Sequence, residues 1–305
     1  MNEEQQFKRL ATKVKVRRWL MTAVIAIVVM VIGGGSFVGY TKMASQKAST
    51  ALNKYFDITH EILAPNIQYS DQYLANTSFF GGTLVSHQYK EIEGYRETWS
   101  PERANYSWTR GVQLPDMLNS ADSNQQRTAL YDRETAHKIP MFFNLKTVSP
   151  NIKPTQELKK VTAVKGHVAE IALTFKQPLT YRQIQDKLPA NLHAVWYWIG
   201  ISGHSDATLV DNNYLGVQGS QTGKLNAAKY RYFHKMLLAA KDKEGGYGDT
   251  FAYAGRYAKS HATLAQAKFT GVIVTGNSEA FKALKEAKWI AASSVGYFQA
   301  RTAIK

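Results

Sequence analysis

The chain has 305 residues, 44% of them hydrophobic and 12% aromatic, and its 38 Lys+Arg against 23 Asp+Glu give a formal net charge of +15. It contains no cysteine, which excludes disulfides, thiolate metal sites, cysteine nucleophiles and a lipid-modified N-terminal cysteine together. The surplus of positive charge points either to an anionic partner or to a surface kept soluble by its own charge.

Residues 1–18 form a basic segment in which Lys8, Arg9, Lys13, Lys15, Arg17 and Arg18 precede a run free of charge from Trp19 to Tyr40. A helix needs about 20 apolar residues to cross the hydrocarbon core. This run has the length, and an aromatic residue marks each end, where interfacial rings prefer to sit. Residues 19–41 are therefore expected as a transmembrane helix. The strongly apolar part, Leu20 to Ile32, is short enough for a secretory signal, and Gly33, Gly34 and Gly35 offer small residues, so a cleaved leader stays open beside the retained anchor. Only Lys42 and Lys47 lie close behind the run, so the positive-inside rule places the N-terminus in the cytoplasm and about 260 residues outside. Without the first 18 residues the chain still has 32 basic against 21 acidic side chains. Outside the membrane the available anions are lipid headgroups and wall polymer, so nucleic acid is not expected as a partner. Phe7, Leu10 and Val14 share one face if the basic segment is helical, and they are the candidate contacts for a cytoplasmic partner; a purely topogenic charge cluster is the alternative.

Ala48, Leu52, Tyr55 and Phe56 recur at helical spacing, which predicts a juxtamembrane stalk over 42–56. Residues 57–149 read as a β-rich lobe, with aromatic and β-branched segments turning at Gly81-Gly82 and Gly94. The stretch 150–165, with Pro150 and Pro154, reads as a linker. Residues 166–305 are expected as an α+β lobe. There, strand His167 to Phe175, helix Thr180 to Leu188 and strand His193 to Ser202 make one β-α-β unit. Strand Phe269 to Gly276, helix Asn277 to Ala287 and strand Trp289 to Tyr297 make a second. Right-handed crossovers would join the two units into a ferredoxin-like sheet. A Gly/Asn/Asp-rich loop, Gly203 to Gly223, and helices around Leu225 to Ala240 and Phe251 to Ala267 would form an insertion between the units. Its helices, or the first lobe, are expected to cover the free sheet face.

Motifs for chemistry are sparse. GVQGSQTGKL lacks the spacing of a phosphate loop, and Leu225 stands where a metal-binding Ser or Thr would be needed, so an exposed turn explains it better. In GISGHSD, Ser202, His204 and Asp206 are close in sequence, but a nucleophile elbow needs glycine at His204. The histidines follow no metal-ligand spacing, and the pairs Glu91/Glu93 and Asp132/Glu134 are explained by strand alternation. Neither an enzyme nor a cofactor is expected. Two segments are ligand-groove candidates. VWYWIG puts Trp196 and Trp198 on one strand face, which suits core as well as a binding platform. YDRETAHKIPMFFN carries Tyr131, Asp132 and Arg133 ahead of an apolar run, which suits a turn entering a buried strand as well as a recognition loop.

Ala64-Pro65-Asn66, Phe80-Gly81-Gly82, YKEIEGY with Trp99, NYSW, YDRETAHKIPMFFN, VAEIALTF, TYRQIQ, NLHAVWYWIGI, FTGVIVTG and WIAASSVG give the chain a resemblance to the sigma factor regulator family of low-GC Gram-positive bacteria. The resemblance runs from the anchor to about Gly296. It implies a membrane-anchored anti-sigma factor, restraining an extracytoplasmic-function sigma factor until an envelope signal reaches its outer domain. The H-x-x-x-C-x-x-C zinc pattern of one anti-sigma group is absent, and about 18 residues are too few for a folded sigma-binding domain. Sigma binding then falls to a short segment that orders on contact or to a second membrane subunit. The competing reading is an envelope-binding module, anchored at the membrane and attached to anionic cell-wall polymer through its basic surface.

Overall fold

The computed structural model describes residues 3–113, 121–208, 214–241 and 248–301. It is a mixed helix-and-sheet protein whose sheets pair antiparallel and whose first element is one helix, α1, over Glu3–Ile62. The basic segment, the apolar run over 19–41 and the stretch read as a stalk over 42–56 lie on this one continuous helix of 60 residues, about 90 Å at 1.5 Å per residue. Its inner half is exposed along the apolar run. From Thr41 onward it turns a buried face to the rest of the protein: Thr41, Ser45, Ala48, Leu52, Tyr55, Phe56, Thr59 and Ile62. These positions keep the three-and-four spacing of an amphipathic helix. The outer part of α1 is thus a core element, and it extends beyond the expected end at Phe56.

The helix stops before Pro65, which disfavours the helical conformation in Ala64 ahead of it, and Asn66 then takes a left-handed backbone with φ of 55°. A meander follows, with strands β1 (Gln68–Ser78), β2 (Gly81–Ile92), β3 (Tyr95–Ser107) and β4 (Gly111–Gln113) in the order β1-β2-β3-β4. Its turns fall at the glycines the sequence marked. Glu93 and Gly94, with φ of 51° and 85°, make the tight β2–β3 turn. This turn suits the right-handed twist of the strands it joins. The inner face of the sheet packs on α1 through Leu84, Ala104 and Tyr106. Three short strands, β5 (Ala121–Ser123), β6 (Leu130–Asp132) and β7 (Lys138–Ile139), form a small second sheet.

Residues 150–165 are packed rather than loose. Ile152, Leu158 and Val161 are buried, α2 (Leu158–Thr162) lies among them, and Thr155 Oγ1 donates to Ser293 O at 2.9 Å.

The largest sheet contains β8 (His167–Leu179), β9 (Leu192–Gly200), β10 (Leu215–Gln218), β11 (Phe269–Asn277) and β12 (Ile290–Ala300), in the order β10-β9-β11-β8-β12. Between β8 and β9 lies α3 (Tyr181–Lys187), whose start is fixed by a capping box between Thr180 and Gln183. Two features differ from the sequence reading. The Gly-rich segment 203–223 contains β10, an added edge strand. The helix expected over Asn277 to Ala287 is a five-residue 3-10 turn, Ala280–Leu284. β11 and β12 run parallel, both antiparallel to β8, and the 12 residues between them carry the chain back along the sheet.

The two faces of this sheet carry different cores. One meets the outer part of α1 together with α4 (Ala227–Ala240) and α5 (Gly248–Ser260), through residues such as Tyr197, Val272 and Phe233. The other carries Trp196, Trp198 and Ile273 and is covered by Met141, Phe142 and Phe143 of the first lobe. The insertion helices therefore lie opposite the tryptophans, and the first lobe covers them.

Candidate functional site

Where β2 meets β8, two opposite charges are enclosed. Lys90, near the inward end of β2, is 2% exposed, and Glu170, in the middle of the apolar strand HVAEIALTF, is fully buried. Lys90 Nζ donates to both carboxylate oxygens of Glu170 at 3.1 and 3.0 Å, and Asn66 Nδ2 donates to Glu170 Oε1 at 2.8 Å. Asn66, with its left-handed backbone, is the residue just after Pro65 that brings this amide to the carboxylate. The ammonium also sits 4.3 Å from the ring centre of Trp99, a cation–π position. Burial pulls the Lys90 pKa below the ordinary lysine value, and the Glu170 carboxylate offsets part of that shift.

A cavity of 290 Å³ opens beside this pair, lined among others by Trp99, His137, Lys138, Glu170 and Tyr297. Its polar groups are themselves engaged. Lys138 pairs with Glu157, whose Oε2 also accepts the Val295 N–H at 2.8 Å, and Tyr297 donates to Glu97 Oε1 at 2.6 Å. Burial lowers the Lys138 pKa, offset by the bond to Glu157. Gly296 is required here, since a Cβ would come within 2.5 Å of Glu170 Oε2. The arrangement is a buried charged clasp joining the first sheet, the end of α1 and the main sheet, where losing one partner is costly.

The outer end of α1 has further polar ties. His60 Nε2 lies 2.7 Å from Glu102 Oε2 on β3, and Lys229 of α4 donates to Glu61 at 3.0 Å. The helix is held from both sides in its last turn.

The residues singled out from the sequence do not converge on one groove. Trp196 and Trp198 are each 1% exposed, and Phe142 stacks on Trp198 with ring centres 4.8 Å apart. They form a packed layer, not an open platform. Asp132 is buried and closes a turn, accepting from Thr135 N–H and Thr135 Oγ1, both at 2.8 Å, and from Ser100 Oγ at 2.5 Å. Its neighbours are exposed, Tyr131 within β6 and Arg133 in the turn that follows it. Phe7, Leu10 and Val14 are exposed along one face of α1 with Ala11, Arg18 and Trp19. Ser202, His204 and Asp206 are engaged separately: Ser202 accepts from Arg256, His204 Nδ1 faces Lys146 O, and Asp206 accepts from Thr208. The 220–224 segment closes as a turn through the Lys224 carbonyl and Ser220 N–H. Among the described residues no group of three or more His, Cys, Asp or Glu side chains is placed to hold a metal.

Sequence reasoning missed the clasp. Its signal was a lone glutamate inside an otherwise apolar strand, since a fully buried carboxylate is rare without a partner.

Every residue of the clasp falls in the phrases that carried the resemblance, namely Ala64-Pro65-Asn66, YKEIEGY with Trp99, and VAEIALTF. Comparison with family models agrees: residues 8–97 match the sigma factor regulator N-terminal model and residues 158–297 the sigma factor regulator C-terminal model. No curated protein and no solved structure matches the chain. The protein pairs a helix long and apolar enough to span a membrane with a large folded domain, the form of a single-pass membrane regulator. It belongs to the sigma factor regulator family, and its role is that of an anti-sigma regulator of transcription.

Proposed function

We propose that this protein regulates an extracytoplasmic-function sigma factor, with its N-terminus in the cytoplasm, its main domain outside, and an envelope signal as its input. The observation that carries the reading is the continuity of α1. One hydrogen-bonded helix links the basic segment, the apolar run and the core of the outer domain. A change in how Leu52, Phe56 and Ile62 pack outside has a helical path, through Gly33-Gly34-Gly35, to Phe7, Leu10 and Val14 inside. The six basic residues before Trp19 support the orientation. The clasp of Lys90, Glu170 and Asn66 is the element we assign to signal response, because it ties the first sheet to the main sheet beside a cavity. The main sheet, read as ferredoxin-like with β10 added at its edge, supplies the rigid frame; the strand order β12-β8-β11-β9 supports that reading. The role is regulatory, with no reaction assigned.

The inner contact is the sigma factor itself or a membrane subunit that holds it, met by the face of Phe7, Leu10 and Val14. Replacing Phe7 and Leu10 with Asp leaves all six basic residues in place. Expression of the sigma-dependent genes should rise, with the membrane level of the protein checked by immunoblot. Unchanged repression at equal protein level would rule out contact through these side chains.

A further inference from the structure

At the tip of the β1–β2 hairpin, Phe79 and Phe80 are 56% and 51% exposed. Neighbouring aromatic side chains this open to solvent on a folded hairpin call for a partner. Phe80 and Trp108, at the end of β3, surround Phe37 of α1, with ring centres 6.3 and 5.5 Å from it, and Trp108 also approaches Tyr40 at 6.2 Å. The cluster is therefore attached to α1 within the uncharged run, not beyond it.

Depth follows from helix geometry. With Trp19 at one interface, Phe37 lies roughly 27 Å further along at 1.5 Å per residue, inside a hydrocarbon core about 30 Å thick. Phe80 and Trp108 touch Phe37, so they reach the same level. Lys42, the first cation after the run on α1 and beside Phe79 and Phe80, lies roughly 35 Å from Trp19 along the helix, where phospholipid headgroups would be. Aromatic rings flanked by cations are the composition that settles at a membrane interface.

The tip is also preformed. The Trp108 N–H donates to Phe80 O at 2.9 Å, and Ser78 Oγ both accepts from the Phe80 N–H and donates to Gly81 O, each at 3.1 Å. Gly81 has φ of +151°, and a Cβ there would meet Tyr106 O at 2.1 Å. Only glycine lets the hairpin fold this tightly against β3, so the two phenylalanines are presented without an ordering step.

We infer that the tip Phe79-Phe80 and Trp108 insert into the outer-leaflet interface of the bilayer as a second membrane contact beside α1, holding the outer domain down on the lipid surface. The occupant is phospholipid, acyl chain against the rings and headgroup against Lys42. The inference depends on α1 being in the bilayer and not on the identity of any sigma factor.

Because the chain has no cysteine, single nitroxide labels can be placed on the full-length protein, reconstituted in vesicles of phosphatidylethanolamine and phosphatidylglycerol. The sites are Phe80→Cys, Thr109→Cys, which leaves every ring in place, Val28→Cys within the run, and Val148→Cys, which is 89% exposed. The measurement is relative accessibility to oxygen, which partitions into lipid, and to a water-soluble nickel chelate. The expected result is an oxygen-to-nickel ratio several-fold higher at Phe80, Thr109 and Val28 than at Val148. A lipid-like ratio at Val28 with water-like ratios at Phe80 and Thr109 would overturn the second contact while leaving the anchor standing. A water-like ratio at Val28 would overturn both.

Discussion

Removing the Lys90 ammonium is the sharpest test of the clasp. Lys90→Met keeps the length of the side chain but leaves the wholly buried Glu170 carboxylate with the Asn66 amide alone. Breaking a buried pair in this way costs about 3–5 kcal/mol, and the lost contact over Trp99 adds to it. Glu170→Met strands the ammonium instead and belongs in the same range. The double variant Lys90→Met/Glu170→Met behaves differently, because no charge is left in the interior. Its cost is the unpaired Asn66 donor, about 1–3 kcal/mol, offset by no longer desolvating two ions. The two sites should therefore couple by about 3 kcal/mol or more in a double-mutant cycle. Urea unfolding of the full chain in detergent, followed by tryptophan fluorescence, measures all four corners. Trp99 reports locally, and hydrogen exchange in β2 should rise in the single variants as the first sheet loosens. If Lys90→Met costs less than about 1 kcal/mol, or the double variant costs the sum of the singles, the pair is not held in a dry interior and the clasp argument fails.

Leu52→Ala tests the outer part of α1 as core. Leu52 is fully buried, so the substitution should cost about 2–5 kcal/mol in the same unfolding assay, whereas a solvated stalk would lose almost nothing. At Gly216 a Cβ would come within 2.4 Å of the Trp196 ring. Gly216→Ala should cost about 1–3 kcal/mol, with hydrogen exchange rising first in β10; an unchanged midpoint would show that Trp196 yields easily. Glu279 accepts the Gly166 N–H at 2.8 Å, and that bond leads in holding its carboxyl down to about 2. A depressed carboxyl stabilises the fold above its unfolded pKa of about 4.3, and the contribution fades as pH falls toward 2. Wild type should therefore melt above Glu279→Gln at pH 7, with the gap closing between pH 5 and pH 2. A gap independent of pH would assign the effect to something other than this ionisation.

The features legible in the sequence are those written in local order. The uncharged run, the turns at Gly81-Gly82 and Glu93-Gly94, and the strands now seen as β8, β9, β11 and β12 each declare themselves through residues within a few positions of one another, because backbone geometry and side-chain periodicity act over that distance. The helical spacing of Ala48, Leu52, Tyr55 and Phe56 was legible too, but not what covers it. Burial of α1 between the first sheet and α4 depends on surfaces brought together from across the chain. The same limit hid the 3-10 turn between β11 and β12, and β10, whose Gly216 lies against the Trp196 ring. It also hid the clasp. Glu170 announced that a partner was needed, yet Lys90 lies 80 positions away and Asn66 104, and no local rule ranks one distant cation above another. Tertiary structure made that choice by burying these three side chains together in one place, where a charge without its partner is costly.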